Sequence, residues 1–133
     1  MATLTTSYDA PTAESRTSML RRMLTGAAAL DVSGGIFCFA AANDLARWLS
    51  IPRDAVYVTG ALFFVAAAAG VLTLRRNPHK VAWIVGANEV FALWCVLMLA
   101  VDHPNTLGVV LLVLATLSSA GTGAAELALA RRR

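Results

Sequence analysis

The chain has 133 residues, of which 58% are hydrophobic and only 14% are charged, and its formal net charge is +3. Soluble domains usually carry about 25% charged residues, so this chain has too few polar side chains to cover a soluble fold of its size. The basic residues stand in short clusters between apolar runs rather than along one face, which argues against nucleic-acid binding.

The first 19 residues are rich in threonine and serine and show no apolar period. A segment of this composition cannot bury enough apolar surface to offset the entropy lost on ordering. We therefore expect residues 1–19 to form a disordered tail, on the cytoplasmic side.

Four apolar segments follow the tail, at about residues 23–49, 55–74, 81–101 and 107–130. Each is about 20 residues or longer, which is enough for a helix to cross a hydrocarbon core of about 30 Å. A bilayer offers no water to the backbone, so each segment must be helical. The connections are short, which makes successive helices antiparallel neighbours. The sequence thus predicts an all-α membrane protein, with an antiparallel four-helix transmembrane bundle in residues 20–133.

Charge sets the expected orientation of the bundle in the lipid bilayer. Nine of the eleven basic residues fall on one side, namely Arg16, Arg21, Arg22, Arg75, Arg76, Lys80, Arg131, Arg132 and Arg133. Only Arg47 and Arg53 fall on the other side. The positive-inside rule predicts a multi-pass protein of the inner (plasma) membrane with both termini in the cytoplasm.

The two halves of the bundle resemble each other weakly. Asp31 lies 13 residues before Asp44, and Glu89 lies 13 residues before Asp102. This spacing fits two helix hairpins related as a parallel repeat. Chance similarity between two apolar hairpins explains it equally well.

Two acidic residues lie inside predicted membrane helices. Asp31 and Glu89 each stand eight positions from the cytoplasmic edge, at a depth of about 12 Å. An ionised carboxylate near the middle of a bilayer costs on the order of 2.5–3.5 kcal/mol. Each should therefore face the bundle interior, take up a proton or pair with a donor, which makes both candidates for binding a proton or cation.

Small residues recur on the same helix faces as these acids and favour close helix packing. Gly34, Gly35 and Cys38 follow Asp31 on the first helix, and Gly86 precedes Glu89 on the third. If the first and third helices touch, Asp31 and Glu89 are expected to meet at one depth.

Glu126 is a third candidate for proton or cation binding. It shares a stripe of the fourth helix with Ser119 and Gly123, which we also interpret as packing residues, and it lies five residues before Arg131. We expect an ion pair with an arginine at the inner interface. The alternative is that Glu126 extends the acidic site toward the cytoplasm.

Signals for metal, cofactor or enzyme chemistry are weak. Cys38 and Cys95 lie inside apolar runs with no Cys-x-x-Cys pair and no cluster of histidine and cysteine, so we interpret them as packing residues. A redox or quinone-handling role for these thiols is a further hypothesis. Catalytic triads, phosphate loops and zinc-protease spacings are missing from the sequence, so we expect no cofactor, no metal site and no enzyme activity.

Four short motifs resemble those of small bacterial four-helix integral membrane proteins of unknown function. They are Leu30-Asp31, Leu49-Ser50-Ile51-Pro52, Ala87-Asn88-Glu89 and Ala125-Glu126-Leu127 before a basic terminus. In that group the position after the asparagine is often apolar, so Glu89 departs from the pattern. The resemblance implies a fold and no activity.

Two hypotheses for function remain open. The first is a structural or accessory membrane protein that acts through helix contacts, with copies of itself or with a larger complex. The second is a transporter or channel that uses Asp31 and Glu89 for protons or cations; because four helices leave little room for a private pathway, it would work as a homo-oligomer. In both, the lipid bilayer is the main partner.

Overall fold

The computed structural model describes residues 13–76 and 82–131, and this part of the chain is helical throughout apart from short turns. The helices are α1 (Ala13–Ala40), α2 (Ala42–Leu49), α3 (Arg53–Arg76), α4 (Ala82–Val101) and α5 (Thr106–Arg131). The long helices α1, α3, α4 and α5 are each apolar enough over sufficient length to cross a membrane. The predicted fold class, an all-α bundle of four transmembrane helices, is confirmed.

The four long helices pack in the order α1, α3, α4, α5, and α1 and α5 barely touch. Neighbours are antiparallel, since Gly34 meets Phe63 whereas Ala28 meets Gly70 further along α3. We call the end where α1 and α4 begin the basic end, and the opposite end, which carries α2 and the turn at residues 102–105, the loop end.

The first helix differs from its predicted bounds at both ends. It begins at Ala13, so residues 13–19 are helical rather than part of a tail, because Leu20 and Leu24 are buried and hold this extension against the bundle. It also stops at Ala40 instead of running to residue 49, with a turn at Ala41 (φ −108°, ψ 20°). The predicted tail up to residue 12 lies outside the described residues, as do Lys80, Arg132 and Arg133.

The turn at Ala41 separates a membrane-spanning helix from an amphipathic one. In α2, Ala42 is buried and Leu45 and Leu49 pack on the core, whereas Asp44 and Arg47 are exposed and form an ion pair. This short helix contacts α1, α3 and α5 at the loop end. A helix with one apolar and one charged face suits the membrane interface.

Glycines bring α1 and α3 close together. A Cβ atom placed on Gly34 would lie 3.3 Å from the Phe63 ring, and one on Gly35 would lie 3.0 Å from the Phe64 ring. A Cβ on Gly60 would lie 2.8 Å from the Phe39 ring. Gly34, Gly35 and the buried Cys38 thus lie at a helix contact, and the aromatic rings fill the space that the glycines leave.

Polar contacts join α3, α4 and α5. The Trp94 indole Nε1 donates to Thr59 Oγ1 over 2.9 Å, and this hydroxyl donates in turn to the Ala55 carbonyl over 2.8 Å. Between α4 and α5, Ser119 Oγ donates to the Asn88 carbonyl over 2.9 Å. Such bonds are satisfied within the bundle and so cost little in an apolar environment.

Two apolar clusters lie at different heights in the bundle. The loop-end cluster consists of Cys38, Ala42, Ile51, Ala55, Val56, Phe91, Cys95, Met98 and Leu112. The basic-end cluster consists of Leu20, Leu24 and Ile84. Part of the interior between them is not filled by side chains.

Asn105 connects the turn between α4 and α5 to the end of α2 through hydrogen bonds. Its side-chain oxygen accepts a hydrogen bond from the Gly108 N–H over 2.9 Å and so caps α5, while its Nδ2 donates to the Trp48 carbonyl over 2.7 Å. Its backbone N–H donates to the Leu49 carbonyl over 3.2 Å. His103, two residues before Asn105, has a left-handed backbone (φ 46°), which a non-glycine residue adopts only at some cost.

Candidate functional site

A cavity of about 300 Å³ lies between the two apolar clusters, and we call it the central cavity. Residues of α1, α3, α4 and α5 line it. Its polar lining consists of Asp31, Asn88, Ser118, Ser119, Thr122 and Glu126. Its apolar walls include Leu24, Phe63, Ile84 and Phe91.

Glu126 is the most unusual residue of this cavity. Its side chain has no exposed surface, and neither carboxyl oxygen has a hydrogen-bond partner among the described residues. Buried polar groups almost always have a partner, because an unsatisfied one costs about 1–3 kcal/mol. The arrangement therefore leaves an acceptor group open toward the cavity.

The expected ion pair between Glu126 and an arginine at the helix end does not form within residues 13–76 and 82–131. Arg131 is exposed, and the one ion pair in this part of the chain is Arg47 with Asp44. The carboxyl lies instead in the central cavity, which Leu24 of α1 and Ile84 of α4 also line.

Asp31 faces the same cavity from α1. It is partly exposed, and because it lines the same cavity as Glu126, the two carboxylates repel each other when both are ionised. A proton or a cation between them relieves this repulsion. The structure therefore brings together Asp31 and Glu126, rather than Asp31 and Glu89.

The hydroxyl groups near the two acids do not neutralise them. Ser119 donates to the Asn88 carbonyl, and Thr122 donates to the Ser118 carbonyl over 2.8 Å. With those protons committed, the hydroxyl oxygens present lone pairs rather than donors. Together with the two carboxyls, these oxygens offer acceptors to a positively charged ligand, while the Asn88 amide and the Ser118 hydroxyl can still donate.

Glu89 is placed differently from what the sequence predicted. It lies exposed on the outward face of α4, because the packed face of that helix carries larger residues, among them Ile84, Phe91 and Cys95. Gly86 is exposed too, and a Cβ atom there would meet no described atom within 4 Å. The small stripe of α4 thus faces outward, and Gly86 is not a packing residue within the described chain.

The remaining predicted residues lie near the cavity or away from it. Ser119 lines it, and Gly123 lies under Asn88, with a Cβ position 3.7 Å from Asn88 Cβ. Cys38 and Cys95 are free thiols in the loop-end cluster, and neither belongs to the cavity lining. The thiols are thus separated from the carboxyl groups.

No protein-family model, no curated protein and no solved structure matches the chain. The resemblance to small bacterial four-helix membrane proteins therefore stays an expectation based on short motifs. Any function has to be argued from the central cavity itself.

Proposed function

We propose that this protein binds a cation inside the membrane, between Asp31 and Glu126, and exchanges it for protons as a cation-coupled transporter. The observation that carries the proposal is the Glu126 carboxyl, which is fully buried and has no partner among the described residues. Compared with the hypothesis drawn from sequence, Glu126 takes the place of Glu89.

The energetic argument concerns how the two carboxyls are neutralised. An ionised carboxylate inside a membrane is costly, and two that face each other are more so. Protons can neutralise them, and so can a bound cation, and the two occupants compete for the same oxygens. Competition of this kind is the basis on which a single site couples the movement of a cation to that of protons.

The packing of the bundle supports a closed intermediate of a transport cycle. The loop-end cluster lies on one side of the cavity and the basic-end cluster on the other. Since α1 packs mainly on α3 and α4 mainly on α5, we propose that the helix pairs α1–α3 and α4–α5 move relative to each other during transport. Such a motion opens one end at a time and exposes the cavity to one side of the membrane.

The proposal includes the orientation of the helix bundle in the membrane. Arg21, Arg22, Arg75 and Arg76 are exposed at the basic end, whereas the loop end carries Arg47 and Arg53. By the positive-inside rule, we propose that the basic end faces the cytoplasm and that the protein resides in the inner (plasma) membrane. The large apolar side chains exposed along the long helices provide the lipid-facing surface.

The test is cation-driven proton movement in proteoliposomes that contain a pH-sensitive dye. We expect the natural chain to release protons when cations are supplied, and Asp31→Asn and Glu126→Gln to abolish the signal. Glu89→Gln makes the same chemical change on the outward face and should leave the signal intact. A natural chain that moves no protons with any inorganic or organic cation would refute the transport proposal.

A second candidate function, an accessory component acting through helix contacts, is favoured by the outward carboxyl of Glu89. This group lies on the exposed face of a membrane-spanning helix, where only lipid or another protein can meet it. In this case Glu89→Leu should change the oligomeric state or the co-purifying subunits, measured by native mass spectrometry from nanodiscs. An unchanged assembly speaks against this role.

A further inference from the structure

We infer that the central cavity takes its ligand from within the bilayer, through an opening between α1 and α5, and that this ligand is a small amphiphilic organic cation. The inference rests on the proposed cation binding by Asp31 and Glu126. It adds the chemical class of the ligand and the route by which it arrives.

The opening lies where two helices of the bundle fail to meet. Helices α1 and α5 barely touch, and the cavity lining includes residues from both that are exposed on the outer surface. Leu30 of α1 is 74% exposed, and Ser118 of α5 is exposed as well. Both residues therefore border the cavity and the lipid at once, and they form the two edges of a lateral opening.

Among the described residues, packed side chains bound the cavity at both ends along the bundle axis. Toward the basic end the cavity meets Leu24 and Ile84, which are 1% and 6% exposed. Toward the loop end it meets the packed rings of Phe63 and Phe91, whose centroids are 4.8 Å apart. A ligand that reaches the carboxyls without a rearrangement of these clusters must come from the lipid side.

The lining of the cavity selects the class of ligand. The carboxyls of Asp31 and Glu126 attract positive charge, but most of the wall is apolar, and the rings of Phe63 and Phe91 offer a surface for an organic cation. Among the described residues, no three histidine, cysteine, aspartate or glutamate side chains come together as a metal site requires. A cation with an apolar body fits both parts of the wall better than a hydrated metal ion.

The volume of the central cavity limits the size of the ligand. At about 300 Å³ the cavity lies at the lower end of the range of roughly 300–1,000 Å³ seen for ligand pockets. It therefore suits a single-ring ammonium compound rather than a large multi-ring dye. Such compounds also partition into bilayers, which agrees with entry from the lipid side.

Binding in nanodiscs tests the ligand class. We expect benzyltrimethylammonium to bind at least tenfold more tightly than tetramethylammonium by calorimetry, a difference of about 1.4 kcal/mol. The double variant Asp31→Asn/Glu126→Gln should lose the binding, and Glu89→Gln should retain it. If tetramethylammonium or sodium binds equally well through the same carboxyls, cation binding stands but the amphiphilic ligand class is refuted. If no cation binds, this inference fails together with the proposed function.

The route is tested by narrowing the lateral opening. Ser118→Phe should slow the exchange of bound benzyltrimethylammonium at least fivefold, measured from the exchange broadening of its trimethylammonium NMR signal. Ser33→Phe is the matched control, since Ser33 is exposed on α1 and does not line the cavity. Leu30→Trp narrows the opposite edge and gives an independent reading if the first variant folds poorly. Unchanged exchange in folded variants of both edges overturns lateral entry.

Discussion

Replacing Glu126 by methionine should make the bundle more stable, although it removes the residue on which the proposed function depends. Both carboxyl oxygens are buried and lack partners in the described part of the chain, so the folded state bears the cost of taking them out of water. That cost is about 1–3 kcal/mol for an unsatisfied buried polar group. Methionine has a similar length, a flexible apolar side chain and no such cost. We therefore expect Glu126→Met to raise the free energy of unfolding by about 1–3 kcal/mol.

Reversible unfolding in mixed micelles, followed by circular dichroism as the fraction of denaturing detergent rises, measures this change. Glu89→Met is the control, because its side chain is exposed and makes no packing contact to lose. Its effect should stay within about 0.5 kcal/mol, as for most surface substitutions. A ligand that binds the natural chain should add about 2.7 kcal/mol at a concentration one hundred times its dissociation constant, and should add nothing to Glu126→Met.

The opposite sign would refute the reasoning. If Glu126→Met lowers the free energy of unfolding by more than about 1 kcal/mol, the carboxyl holds the folded bundle together through a partner. Glu126 would then be a structural residue, and its carboxyl would no longer support a binding site in the cavity. The measurement thus separates the two hypotheses without any knowledge of the ligand.

Three further predictions concern the contacts that hold the helices in place. Asn105→Ala should lower the free energy of unfolding by about 1–2 kcal/mol, because it removes the cap of α5 and the bond to the end of α2; a loss below 0.5 kcal/mol would mean that water replaces both. Gly108→Ala should lower the free energy of unfolding in the same assay, because its Cβ would lie 2.7 Å from the Leu49 carbonyl oxygen. Gly121→Ala on the same helix places its Cβ in open space and should raise the free energy of unfolding by about 0.5–1 kcal/mol. Trp94→Phe and Thr59→Val should each cost about 1 kcal/mol, because both remove the hydrogen bond between Trp94 and Thr59. The double variant should cost little more than either single variant, and full additivity would contradict this.

The number and approximate positions of the membrane helices could be predicted from hydropathy alone. A bilayer requires about 20 apolar residues per helix, and the predicted bounds of the second, third and fourth segments lie within two residues of α3, α4 and α5. The bounds of the first segment are harder to predict from hydropathy, because packing determines where this helix begins and ends. The buried Leu20 packs α1 against the bundle before the apolar run begins, and a turn at Ala41 separates α1 from the amphipathic α2.

The rotation of each helix about its axis was only partly predictable. In a helix that is apolar almost all round, small residues mark a contact in one case and a lipid-facing surface in another. On α1 the glycines do lie against α3, because phenylalanine rings of α3 fill the space beside them. On α4 the large residues Phe91 and Met98 take the packed face, and Glu89 is left outside. Pattern alone could not decide between these outcomes, since both satisfy the same spacing.

Glu126 could have been identified from its neighbours on α5. Ser119, Thr122 and Gly123 form a small polar stripe that leads directly to it, and such stripes favour the bundle interior. Its distance from Arg131 suggested an interfacial ion pair instead. Predicting its burial required knowing how the four helices pack around the central cavity.

The proposed internal repeat predicts that Asp31 and Glu89 occupy equivalent positions, yet their surroundings are opposite. Asp31 lines the central cavity, whereas Glu89 lies on the outer surface. The second carboxyl of the cavity comes from α5, so the candidate site lacks the symmetry that a pair of equivalent acids would give. The acids inside the cavity and the acid on the outer face are therefore neutralised in different ways. A small positively charged ligand would neutralise the cavity acids Asp31 and Glu126. The carboxyl of Glu89, on the outer face, would instead be met by a proton, a lipid or a second protein. A substitution at one of these two places should leave the other unchanged, which is why Glu89 variants serve as controls for the variants of Asp31 and Glu126.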